Sequence, residues 1–310
     1  MDETIGKKFM EIDQEMICHA SLPNAGLGNK LLVWARAWIY AKKNNIPLVV
    51  TGWTQLQKAP ILNGGDLRLY LNYFKRVREL NWLSWVLCRV KYNVIAEPDI
   101  DAPADRKYSI YKFSTVPSWS DYFKDLKPFR EELRGALLDM LTNSRKMEYK
   151  NCINPKVCIQ VRLGDFRNLR PGEIFANVGL VRTPMDYFIN LVENIRKIHN
   201  SELPVTLVSD GSPKQLKDLL KLPKVTIGPK NSKIVDILMM AKSKILVTSA
   251  GSTFGYWGGF LGDNALIIHK DHVHKSIRPE NINLKFYEGP LDDHISNWPD
   301  LLIKNISSAR

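Results

Sequence analysis

The sequence predicts an α/β protein made of two doubly wound, Rossmann-like domains that face each other across a cleft. Three observations point there. Residues 156–269 carry five short apolar runs alternating with segments of helical periodicity, the pattern of a parallel sheet covered on both faces. The chain opens with the same rhythm: an apolar run, a glycine-bearing turn, a long helical stretch and a second apolar run. The polar segment "NSRKMEYKN" (143–151) reads as the linker, dividing 1–150 from 151–310, each of ordinary domain length.

Taken in order, "MICHASLP" is the first strand, "NAGLGNK" a tight turn, and "LLVWARAWIYAKKNN" a helix with Leu31, Ala35, Trp38 and Ile39 on one side. "IPLVVTGW" is the next strand. Beyond Trp53 the periodicity blurs. The aromatic-rich stretch 61–95 reads as helix and loop, 97–107 as a loop, and 119–143 as one or two helices parted at Pro128. In the second half "KVCIQV", "PVTLVSD", "KVTIG", "KILVTS" and "NALIIH" are strands. The helices between them are "TPMDYFINLVENIRKIHN", with Thr183 as N-cap and Pro184 at its first position, "SPKQLKDLLK" capped by Ser212, "NSKIVDILMMAKS" and "STFGYWGGFLG".

With 44 Lys and Arg against 32 acidic residues the chain carries +12, which favours anionic partners without choosing among them. The four cysteines, Cys18, Cys88, Cys152 and Cys158, form no CxxC pair or metal-ligand spacing, and three sit in or beside apolar runs. They read as reduced thiols of a cytoplasmic protein. The amino-terminal residues lack an apolar core of signal-peptide length, and "LLVWARAWIYA" is broken by Arg36, so no transmembrane segment is expected.

Ligands of open parallel sheets bind beyond the carboxyl ends of the strands. Arg162, Gly164 and Asp165 fall there, as do Ser209 and Asp210, Ser249, Ser252 and Thr253, and, in the first half, Gly26, Gly28 and Asn29. The helix starting at Ser252 offers free N–H groups and two hydroxyls to a phosphate, with Phe254 in its first turn. Equally, Ser252 could be a plain N-cap, Gly255, Gly258 and Gly259 packing residues, and Arg162 a salt-bridge partner of Asp165 or Glu173. A guanidinium also matches a pyrophosphate oxygen pair and stays charged. "NAGLGNK" lacks the third glycine of a dinucleotide fingerprint, because Leu31 stands there.

Together these blocks resemble the α-1,2-fucosyltransferases. "GLGNKLLVWARAWIYAKKNNIPL" is similar to their opening turn and aromatic-rich helix, "QVRLGDF" to their His-Val-Arg-Arg-Gly-Asp-Tyr block, "LVSD" to their strand ending in Ser-Asp, and "GSTFGYWGGFLG" to their Ser-Thr-Phe-Ser-Trp-Trp block. The matches keep the same order over about a third of the chain and leave 54–150 unmatched. The resemblance implies a GT-B glycosyltransferase that takes fucose from GDP-fucose with inversion, needs no metal or other cofactor, and hands it to a sugar hydroxyl of a glycan. Arg162 would neutralise the leaving diphosphate, and Ser252, Thr253 and Phe254 would sit near its phosphates. Ser209, Asp210 and Ser249 would border the nucleotide, and Gly26, Gly28 and Asn29 would line the cleft from the acceptor-side domain. Gln160 stands where the family has histidine, Leu163 where it has arginine, and Gly255-Tyr256 replaces a Ser-Trp pair.

Without a metal, cations and helix N–H groups must carry the leaving group's charge. Arg167, Arg170, Lys230 and Lys242 are further candidate cations, and Asp165 is the candidate base, with orientation of Arg162 as its alternative role. The pair Asp99 and Asp101 in "PDID", and His269, His272 and His274, are weaker hints of a metal. Three rivals remain open: the same fold with another nucleotide sugar, a nucleic-acid-binding protein suggested by the charge and eight tryptophans, and a nicotinamide-dependent oxidoreductase.

Overall fold

The computed structural model describes residues 15–53, 70, 72–75, 82–271, 275–292 and 294–309. Two all-parallel sheets organise them. The first holds β1 (Met16–Ser21), β2 (Leu48–Thr51), β3 (Asn93–Ala96) and β4 (Ser109–Phe113) in the order β2-β1-β4-β3. Its two faces follow from strand alternation. Cys18, Ala20, Tyr111 and Phe113 pack under the helix Leu27–Asn44, whereas Ile17 and Ile110 pack under the helix Trp82–Lys91 through Cys88.

The helix Leu27–Asn44 is buried over most of its circumference, because it is sandwiched between its own sheet and the second half of the molecule. Lys30 lies inside this packing and donates from Nζ to the carbonyls of Pro23 and Gly52, tying the turn after β1 to the end of β2. Burial pulls its amine down to about 8.

The second sheet holds β5 (Val157–Val161), β6 (Val205–Ser209), β7 (Val225–Ile227), β8 (Ile245–Thr248), β9 (Ala265–Ile267) and β10 (Glu288–Gly289) in the order β10-β9-β8-β5-β6-β7. Both faces are buried. Val157, Ile159 and Val161 meet the helices Met185–His199 and Asp300–Ser307, while Cys158 shares a core with the helices Lys233–Lys242 and Thr253–Leu261 and with the first half of the chain. This accounts for runs of apolar residues without alternation.

The structure alters four expectations. Residues 143–151 form the helix Asn143–Asn151, not a linker; Thr142 caps it by accepting from the Arg145 N–H. Its polar composition reflects an exposed face, while Glu148 reaches across to the backbone N–H and hydroxyl of Ser232. Thr183 does not cap the helix Met185–His199: its hydroxyl accepts from the Ala250 N–H, and Pro184 holds the cap position. The expected helix from Ser212 is reduced to the single turn Lys217–Leu220. β3, β4 and β10 are additional to the strands expected.

Candidate active site

In both sheets the order in which strands are added reverses at a central strand, which opens a crevice at the carboxyl ends of the two strands flanking the switch. In the second sheet the switch lies between β5 and β8, and Arg162 follows β5 while Ser249 to Thr253 follow β8. In the first it lies between β1 and β4, and the turn carrying Gly26, Gly28 and Asn29 follows β1. The sequence candidates therefore fall into two groups, and a packing contact joins them.

Arg162 is half-buried and held by two carboxylates. Nη2 lies 2.6 Å from Asp165 Oδ1 and Nη1 2.7 Å from Asp210 Oδ2, with the guanidinium 5.7 Å from the centre of the Phe166 ring. Asp210 also accepts the Leu163 N–H at 2.8 Å, and its carboxylate takes the space that a side chain at Gly164 would fill.

The hydroxyls of Ser249 and Ser209, both expected to border a nucleotide, bond to neighbouring backbone, and Ser209 also lines a pocket at the carboxyl ends of β6 and β7. The buried Ser249 Oγ accepts the Arg162 N–H and donates to the Gln160 carbonyl, so it fixes the Arg162 backbone. Ser209 Oγ donates to the Val161 carbonyl and accepts the Gly211 N–H. Gln160, at the position where the resembling family has histidine, is buried beneath the helix Thr253–Leu261, and a Cβ at Gly255 would lie 2.8 Å from its Oε1. Gly258 and Gly259 abut Met240 and Leu266 in the same way; these glycines serve packing.

Gly28 is also a close-approach residue, but its neighbour is protein. A Cβ there would stand 2.6 Å from Thr253 Oγ1 and 2.8 Å from the Phe254 nitrogen. Trp257 Nε1 donates to the Gly28 carbonyl at 2.9 Å, and Thr253 Oγ1 donates to Asn29 Oδ1 at 2.9 Å. The amino termini of the helices Leu27–Asn44 and Thr253–Leu261 thus meet. Neither has an acidic residue in its first turn, and neither Gly26 nor Ser252 supplies a side-chain cap. Two positive helix ends with uncapped N–H groups form a region receptive to an anion.

A pocket of about 300 Å³ opens at the carboxyl ends of β6 and β7, lined by Leu207, Ser209, Gly228, Lys230, Asn231 and Asp236 among others. Asp236 was not among the sequence candidates. Burial pushes its carboxyl up to about 7, against the opposing effects of Lys233 at 3.8 Å and a hydrogen bond with Asn231. The available signal was one acid inside the otherwise apolar run Ile234 to Met240.

Of the other candidate cations, only Lys230 lines this pocket. Arg167 is paired with Glu173, and Lys242 caps backbone at Tyr149 while its amine lies 4.0 Å from that ring's centre. Asp101 pairs with Lys43, and Asp99 accepts the Asp101 N–H. His269 is buried against Phe175 and Tyr187; His272 and His274 lie outside the described residues. Among the described residues no group of three or more His, Cys, Asp or Glu is placed to hold a metal ion.

Two parallel-sheet units joined at opposed helix ends, with Arg162 held between two carboxylates and a pocket at one sheet edge, make up an α/β fold of the GT-B type. The sequence model of glycosyl transferase family 11 matches residues 104–280, more than half of the chain, and the protein belongs to that family. The NodZ alpha-1,6-fucosyltransferase co-crystallized with GDP has a TM-score of 0.50 at 14% identity, covering 83% of this chain and 95% of its own. NodZ from Bradyrhizobium, as the selenomethionine protein, gives 0.49 at 15% identity over 83% and 95%. A mutant of Arabidopsis thaliana FUT1 in complex with GDP gives 0.44 at 18% over 86% and 71%. At these identities the likeness concerns the fold. No curated protein matches the sequence.

Proposed function

We propose that the protein transfers fucose from GDP-fucose to a sugar hydroxyl of a glycan, with inversion and without a metal ion. The observation that carries this reading is the order of groups along one sheet edge. The Asp236 pocket lies at β7 and β6, Arg162 at β5, and the Ser252–Thr253 helix start at β8. Three inter-strand steps cover about 14 Å, comparable with an extended nucleoside diphosphate. A guanine presents adjacent N–H and NH2 donors, which a carboxylate such as Asp236 accepts as a pair. The diphosphate would then reach Arg162 and the uncapped N–H groups. The GDP carried by NodZ in its co-crystal is in keeping with this choice of nucleotide.

Residues 151–310 would hold the donor and residues 1–150 the acceptor. As the diphosphate arrives, it takes the Nη2 edge of Arg162 from Asp165. The released carboxylate accepts the proton of the attacking hydroxyl. The new oxygen–carbon bond forms on the face opposite the leaving group, the bond from the sugar carbon to the β-phosphate oxygen breaks, and its electron pair leaves with GDP. Arg162 and the helix N–H groups stabilise that charge. Asp210 is assigned to orient Arg162. The four cysteines, none of them in a disulfide, suit a reducing, cytoplasmic setting.

A thermal-shift screen with GDP, UDP, CMP, NAD and a short oligonucleotide tests the reading. GDP at 100 times its dissociation constant should add about 2.7 kcal/mol of stability, undiminished by chelator. A shift with UDP or NAD and none with GDP would remove the proposal.

A further inference from the structure

We propose that the helix Trp82–Lys91 and the adjoining edge of the first sheet dock on an anionic lipid bilayer. At 100° per residue this helix should present a polar stripe to solvent once its inner face is buried. Its inner face is apolar, with Cys88 buried beside Ile17 and Ile110 and Trp85 packed against them. The outer face is apolar as well: Val86 is 38%, Leu87 54% and Val90 81% exposed. These three project within about 100° of one another, opposite Trp85 and Cys88. The apolar surface continues onto edge strand β3, where Val94 is 57% exposed. Its register with Ile110 places it on the same sheet face as the helix.

The described charges on and beside this helix are mostly positive. Arg89 and Lys91 flank the outer stripe on its two sides, and the helix contains no acid. Lys112, two residues after Ile110, projects from the same face of the sheet. Among the described residues, Glu15 and Glu97 are already committed, Glu15 to Lys107 and Glu97 to Arg36. The buried His19 reports the same field: burial first, then Lys112 and Arg89, hold its imidazole down at about 4.

An exposed apolar stripe between two cations matches a bilayer boundary. Leu87, Val90 and Val94 enter the acyl region while Arg89 and Lys91 extend to anionic headgroups. A second copy of the chain fits this face less well, because a two-fold contact would set the same cations together around one small apolar patch. The mode is surface binding: among the described residues no helix is long and apolar enough to cross a membrane.

The test is co-sedimentation with vesicles of phosphatidylcholine, alone and mixed with phosphatidylglycerol, using the whole chain and the charge-neutral pair L87S/V90S. The wild type should sediment with the mixed vesicles and release as salt rises. The variant, with an unchanged thermal midpoint, should bind them about tenfold more weakly, through loss of apolar burial alone. Equal binding by the variant would assign the effect to the overall +12 charge and overturn the proposal, as would failure of the wild type to bind. A wild-type dimer in light scattering that L87S/V90S disperses would overturn it in favour of self-association.

Discussion

Replacing Arg162 with alanine removes the guanidinium paired with both Asp165 and Asp210. Its cost to the fold follows from exposure. Both ion pairs are partly open to water, and such pairs contribute about 0.2–1 kcal/mol each. The Arg162 backbone stays anchored to Ser249 Oγ, and Asp210 keeps the Leu163 N–H, so the loss should not exceed about 2 kcal/mol. Its cost to catalysis is larger, because charge on the leaving oxygens grows in the transition state. Removing one preorganised donor from such a charge costs about 3–4 kcal/mol, a fall of about 10²–10³ in kcat, with a smaller effect on GDP affinity. The assay is GDP release from GDP-fucose with a glycan acceptor found by array screening, alongside a melting curve. D165N, which keeps the side-chain shape and removes the basic charge, should lose turnover while retaining GDP binding. Turnover of R162A within about threefold of wild type would refute the assignment of the diphosphate to this arginine.

Gly28→Ala should cost about 1–3 kcal/mol, read as a lowered melting midpoint, because the added Cβ meets the Thr253 and Phe254 backbone. Gly26→Ala, with φ near −62° and no atom within 4 Å, should change little. For Asp236 the raised carboxyl means the folded chain holds a proton that the unfolded chain has released. Stability from this group therefore falls as pH rises from about 4 to about 7, and D236N should flatten that part of the profile. GDP affinity needs the ionised form and should rise about tenfold per pH unit up to about 7; in D236N it should be weaker and lack that rise, as calorimetry at several pH values would read.

Positions set by local pattern were legible in the sequence: Arg162 at the end of a core strand and Ser252 at a helix start fall where the sequence puts them. What the sequence could not state was the partner. Gly28 signals close approach, but only the fold shows that Thr253 and Phe254, more than 220 residues away, are what approaches. Ser209 and Ser249 stand at strand ends like the other candidates, and only the fold shows that their hydroxyls bond to neighbouring backbone. Asp236 was hidden because a lone acid in an apolar helix resembles a solvated position until the sheet edge beside it is known. β3 and β4 escaped because "NVIA" and "SIYKF" are short and embedded in tyrosine-rich sequence without clear alternation. The loop readings between Trp53 and the helix Trp82–Lys91 fall mostly outside the described residues.

A crystal structure of the protein with GDP is the most informative single measurement. Guanine is expected in the pocket beside Leu207 and Gly228, with its N1 and N2 about 3 Å from the Asp236 carboxylate. The β-phosphate should lie within hydrogen-bond reach of Arg162 and the Ser252–Thr253 amides, and Asp165 should have turned away from Nη2. Density for GDP elsewhere, or a base outside that pocket with Arg162 still held by both carboxylates, would contradict the proposed donor site.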